Sequence, residues 1–154
     1  MINNLDYAMI NGLNKVMADL DLRLDAVQAF DRAYAHGKRS QLLAKILRRQ
    51  DHLLEMPAGH TNSERSTGRI ITVPIQHIKG SLGRSEDFDR AFHPLAERSR
   101  ARWVSLATAY RLNVPLPPVE LVKVGQDYYV RDGHHRISVA RAFGQEVIEA
   151  RLVG

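Results

Sequence analysis

Between Tyr128 and Gly144 the chain reads Tyr-Tyr-Val-Arg-Asp-Gly-His-His-Arg-Ile-Ser-Val-Ala-Arg-Ala-Phe-Gly. An apolar strand ends at Val130, and a helix-forming run follows and closes at Gly144. Strand must therefore hand over to helix within a few residues around Asp132 and Gly133. A glycine there lets the backbone approach a ligand, and the first turn of the helix offers unpaired N–H groups at its positive dipole end. Arg136 adds a guanidinium fork suited to phosphate. This order of residues is the layout of an anion site.

The rest of the chain divides around a turn-rich stretch. Residues 1–57 read as helices. Leu5, Met9, Leu13, Val16 and Leu20 recur at helical spacing, as do Leu24, Val27, Phe30 and Tyr34. Gly37 suits a helix end, and Ser40 a cap for a second long helix carrying Leu42 through Leu54. Residues 58–68 are polar and read as a linker. Beyond it, Arg69 to Val73 is a β-branched run that continues through Pro74 towards Gly80. Ser85 suits a cap for a short helix with Phe88 and Phe92, and Pro94 the first turn of a longer one. Val119–Val124 and Tyr128–Val130 read as a hairpin across Gly125-Gln126-Asp127, and Glu146–Val153 as a last strand. The expected fold is α+β, residues 69–154, with an N-terminal helical extension.

Composition removes whole classes of chemistry. The chain has 154 residues and no cysteine, so disulfides, zinc-thiolate sites and cysteine catalysis are excluded. No run approaches a membrane span and no secretory signal opens the chain, which implies a cytoplasmic protein. The seven histidines include no helical pair with the intervening glutamate that a zincin requires. The net charge of +5 suits a polyanionic partner, nucleotide or nucleic acid. Lys38, Arg39, Lys45, Arg48 and Arg49, and later Arg98, Arg100 and Arg102, are either a phosphate-backbone contact or a solvated face. The broad apolar faces of the first 57 residues must cover something, either the α+β domain or a second copy in a homodimer.

Asp132-Gly-His-His-Arg136, followed by Ile-Ser-Val-Ala and Gly144, resembles the phosphate-binding motif of the ParB/sulfiredoxin-like superfamily. Val73-Pro-Ile-Gln-His-Ile78 resembles the first-strand motif of that fold, and Leu116 to Val124 the strand before the motif hairpin. The resemblance covers roughly residues 69–154 and implies a bacterial nucleotide-binding protein. Three subfamilies differ at the motif. Sulfiredoxins carry a catalytic cysteine where His134 stands, so their reductase chemistry is excluded. Chromosome-partitioning ParB proteins carry glutamate and arginine in place of His134 and His135, and continue into a helix-turn-helix reader; the expectation here is the nucleotide-binding module without that reader, unless the N-terminal helices replace it. Free-serine kinases of this fold carry a similar Asp-Gly-His-His-Arg. They also need a carboxylate base, expected near the first strand, where this chain has Gln76, His77 and Lys79. The nearest carboxylates are Glu86, Asp87 and Asp89.

These readings define a candidate site. Gly133, His134, His135 and Arg136 are expected to bind nucleotide phosphates, with Ser81 and Arg84 of Gly80-Ser-Leu-Gly-Arg84 closing over them. Asp132, His134 and His135 are the candidate catalytic residues. Neighbouring histidines at a helix start point about 100° apart and cannot both face one atom. Asp132 has three roles open to it: cap of the helix, holder of a histidine tautomer, or ligand of a magnesium ion. The implied cofactors are ATP, CTP or another nucleotide, with magnesium. The implied function is nucleotide binding, with hydrolysis or phosphoryl transfer. The alternatives are a ParB-like DNA-associated module or nuclease, and a non-catalytic nucleotide sensor.

Overall fold

A computed structural model describes residues 4–59 and 68–154. Most of the expected linker, 60–67, lies outside the described residues. In chain order the elements are α1 (Asn4–Ile46), β1 (Leu54–Glu55), β2 (Ile70–Pro74), β3 (Ile78–Ser81), α2 (Arg100–Arg111), β4 (Val119–Val124), β5 (Asp127–Asp132), α3 (His134–Ala142) and β6 (Val147–Leu152). Three short 3-10 turns lie between β2 and α2. The α+β class and the N-terminal helical extension expected from the sequence are both observed.

The strands form one mixed sheet in the order β1-β3-β5-β4-β6-β2. β4 and β5 pair antiparallel across the expected hairpin, where Gly125 takes a positive φ of 63°. β6 runs parallel to β4 and antiparallel to β2. β2 and β3 were expected as one run, but the chain breaks after Pro74 and Ile75 N–H donates to Glu146 O at 2.9 Å. The two strands are neighbours in sequence and four strand spacings apart in the sheet. A flat sheet would separate them by roughly 19 Å, at ~4.8 Å per spacing. The four steps from Pro74 to Ile78 reach at most ~14 Å. The sheet therefore curls until its two sides approach, around a core of Val73, Ile78, Leu121, Val130 and Ile137.

A second apolar layer joins the helices. Ala26, Phe30 and Ala33 of α1 pack on Trp103 and Ala107 of α2, which also meet Val139 of α3. Trp103 Nε1 donates to Ser138 Oγ at 2.8 Å, which satisfies the buried indole. α1 touches the domain only along its middle. From Leu5 to Asp25 only Leu22 is even partly covered. No described helix is long and apolar enough to cross a membrane.

Three local expectations are corrected. Two N-terminal helices were expected, with a break at Gly37, but α1 runs straight through to Ile46. Gly37 serves a close approach instead: a Cβ there would lie 2.7 Å from Pro94 O. Ser40, the expected cap, lies inside α1 and its hydroxyl donates to Asp51. The second helix is absent. Leu53 turns into the core and Leu54–Glu55 pairs parallel with β3, so the helical extension ends at 46 rather than 57. Finally, α2 starts at Arg100 and not at Pro94. The buried Asp89 carboxylate accepts from Ala91 N–H at 2.9 Å, His93 N–H at 2.8 Å and His93 Nδ1 at 2.8 Å. Those bonds build a loop where the short Ser85 helix was expected, of which only the 3-10 turn Ser85–Asp87 forms, and Pro94 bridges back to Phe88 instead of opening α2.

Candidate anion-binding site

β5 delivers Asp132 to the start of α3 through Gly133, which adopts φ 106° and ψ 19°. That left-handed conformation favours glycine, and a Cβ would also meet Val119 Cγ1 at 2.5 Å. The first bond of the helix runs from Ile137 N–H to Gly133 O at 3.0 Å. The N–H groups of His134, His135 and Arg136 thus have no acceptor within the helix, and no side chain caps it. Of its three expected roles Asp132 does not take the cap. Its carboxylate accepts from Arg136 Nη2 at 2.6 Å and is 59% exposed.

A cavity of about 210 Å³ opens at this uncapped end. Gly133, His134, His135 and Arg136 form its floor, with Asp132 at the edge. Arg84 enters from the loop after β3, and Arg102 from the first turns of α2. Neither Arg84 nor Arg102 has a carboxylate partner among the described residues. Arg136 is engaged: Nη1 donates to Pro117 O at 2.6 Å and Pro118 O at 2.9 Å. The guanidinium expected to grip phosphate thus also ties the proline loop to the helix start.

The two histidines divide as helical geometry requires. Both are buried against Phe88: His134 lies nearly parallel to its ring at 6.0 Å and His135 stands edge-on at 5.2 Å. His134 Nε2 is 2.6 Å from Ser81 Oγ. The serine hydroxyl donates to Gly83 O, so the imidazole donates to the serine. His135 Nε2 is buried with no hydrogen-bond partner among the described residues. Burial and the Arg84 guanidinium hold His134 down at about 4, below its ordinary 6.5. Burial, Arg102 and Arg84 hold His135 at about 4 as well. Both rings are neutral at pH 7.

The structure brings Arg84, Asp132, Gly133, His134, His135 and Arg136 to one cavity. Ser81 lies behind it. Fully buried, it joins the 81–84 loop to His134 and does not line this cavity. Among the carboxylates near the first strand, Asp89 is consumed by its own loop, and Asp87 pairs with Arg98. Glu120, opposite Asp132 in the β4–β5 register, was not singled out from the sequence. Nor was Arg102 as a lining residue, nor Phe88 as the ring that both histidines contact. Arg102 was legible only as part of a basic face. A larger cavity of about 580 Å³ lies by the α3–β6 loop, but one guanidinium, Arg141, is its only cationic wall.

No protein-family model matches the chain, and no curated protein matches it either. A search of solved structures finds a likeness to the crystal structure of sulfiredoxin from Arabidopsis thaliana. The two are 20% identical, with a TM-score of 0.42, over 55% of this chain and 84% of that one. The likeness is one of chain path.

Proposed function

We propose that the protein binds a nucleoside triphosphate by its phosphates at the start of α3, in a site of ParB/sulfiredoxin-like type. One observation carries this reading. Three helix N–H groups without an acceptor in the helix, the guanidinium groups of Arg84 and Arg102, which have no carboxylate partner among the described residues, and the buried His135 converge on one cavity, with Arg136, already paired to Asp132, beside them. Uncompensated positive potential of this kind selects a multiply charged anion. Pockets that enclose a whole small molecule run to roughly 300–1,000 Å³, so this smaller cavity takes phosphate and leaves the nucleoside over the rim. Asp132 suits magnesium. Its Oδ1 has no partner among the described residues, and one carboxylate with phosphate oxygens and water is the usual magnesium shell. No cluster of three acidic or histidine ligands forms a separate metal cage among the described residues. When bound, the ion would neutralise phosphate charge beside the carboxylate.

Calorimetry with ATP, CTP, GTP and ADP, with and without magnesium, tests the proposal. Each of Arg84→Ala and Arg102→Ala should weaken binding by roughly 10- to 100-fold, at ~1.5–3 kcal/mol per charge-assisted contact. Absence of heat with every nucleotide refutes it. The engagement of two of the three carboxylates nearest the first strand, Asp89 in its own loop and Asp87 with Arg98, supports a sensor over a phosphotransferase. Release of inorganic phosphate that vanishes in Asp87→Asn would overturn that part.

A further inference from the structure

α1 carries an apolar surface that its own domain does not cover. Met9, Leu13, Val16 and Leu20 are 50–72% exposed, and Ile10 and Met17 on the flank 47% and 55%. At ~100° per residue this stripe lies roughly 100° around the helix from Ala26, Phe30 and Ala33, which face α2. The packing on α2 begins further along α1, from Leu22 onward, and leaves residues 9–20 uncovered.

The spacing of the stripe is 4, 3 and 4, the seam of a heptad repeat. The next seam position outward at each end is charged: Asp6 before Met9, and Arg23 after Leu20. We infer that a second copy of this chain packs antiparallel on the exposed half of α1, about a two-fold axis between Asn14 and Lys15. In that register Leu13 meets Val16 of the second copy and Met9 meets its Leu20. Asp6 meets its Arg23, and the reverse contacts follow by symmetry. On one flank Ile10 meets Met17. Every apolar layer faces an apolar layer, and each end closes on opposite charges. A parallel pair would set Asp6 against Asp6 and Arg23 against Arg23. Six apolar side chains at ~80–100 Å² each contribute on the order of 500–600 Å² per copy, close to the ~800 Å² per partner of a standard interface once the flanking residues are added. The two α+β domains would lie at opposite ends of the helix pair, roughly 45 Å apart at ~1.5 Å per residue. Neither then obstructs the other.

Sedimentation of the whole chain at micromolar concentration should give twice its 17.4 kDa. Leu13→Glu should give the monomer while the near-ultraviolet signal of Trp103 in the helical core stays unchanged. Asp6→Arg should weaken the dimer, and Asp6→Arg with Arg23→Asp should restore it. The absence of native cysteine allows a direct reading of direction. Met9→Cys and Leu20→Cys chains, mixed and oxidised, should cross-link to each other, and neither should cross-link to itself. A monomeric wild type overturns the inference. So does self-linking of Met9→Cys, which reports a parallel pair.

Discussion

Lowering the pH from 7 to 5 should destabilise the protein through its two buried histidines. Both sit at about 4 in the folded chain against 6.5 when unfolded. A base with a lowered folded pKa holds its full stabilisation above pH 6.5, where both states are neutral. That stabilisation is lost as the pH falls towards 4, because the unfolded chain takes up protons first. At pH 5 the undiscounted cost is ~2 kcal/mol per histidine, from 1.36 kcal/mol per unit. Water entering the cavity screens part of it, and charging either ring opposes charging its neighbour, so ~2–3 kcal/mol for the pair is the working figure. Carboxylates in an unfolded chain titrate at ~4, which leaves roughly pH 5 to 6.5 as the informative window. The assay is the urea midpoint of the whole chain at pH 7, 6 and 5. His135→Phe keeps a ring against Phe88 but cannot be charged, so its midpoint should fall less steeply than that of the wild type. Equal slopes in the two proteins would show that the His135 environment imposes no penalty on charge, and the argument would be wrong.

Other substitutions test the frame around the site. Gly133→Ala should cost ~3 kcal/mol or more in denaturant unfolding, because it combines a left-handed backbone with a Cβ clash on Val119. Gly12→Ala should do the opposite and raise helix content or stability by ~0.5–1 kcal/mol, since nothing lies within 4 Å of the new methyl group. Asp89→Ala should destabilise by ~3 kcal/mol, as it leaves the Ala91 and His93 N–H groups without their acceptor. An unchanged unfolding midpoint in this variant would mean that water replaces the carboxylate.

The hairpin, the strand-glycine-helix corner and the last strand were legible because each is specified locally. Gly125 marks a turn, Gly133 a corner, and the strands carry their own β-branched pattern. The misreadings fall where a residue answers to a distant partner. Gly37 looked like a helix end, but it is small because Pro94 crosses it. Leu54 looked helical beside the Leu42–Leu47 run, and it becomes a strand only through its pairing with Gly80. Pro94 suited a helix start, yet Asp89 folds that segment back on itself. The same division holds within the candidate site. The motif located the cavity, while its third arginine comes from α2, whose rotation about its axis is set by Trp103 and Ala107 in the core.

The engagement of Arg136 bears on how any anion must enter. Its guanidinium already serves two carbonyl oxygens and a carboxylate, so occupation of the cavity is an exchange of partners rather than the filling of a vacancy. A phosphate that draws Arg136 away frees Pro117 and Pro118, the residues that lead directly into β4. In the proposed complex the affinity would contain the cost of releasing that segment, and the entry to a central strand of the sheet would respond to the anion.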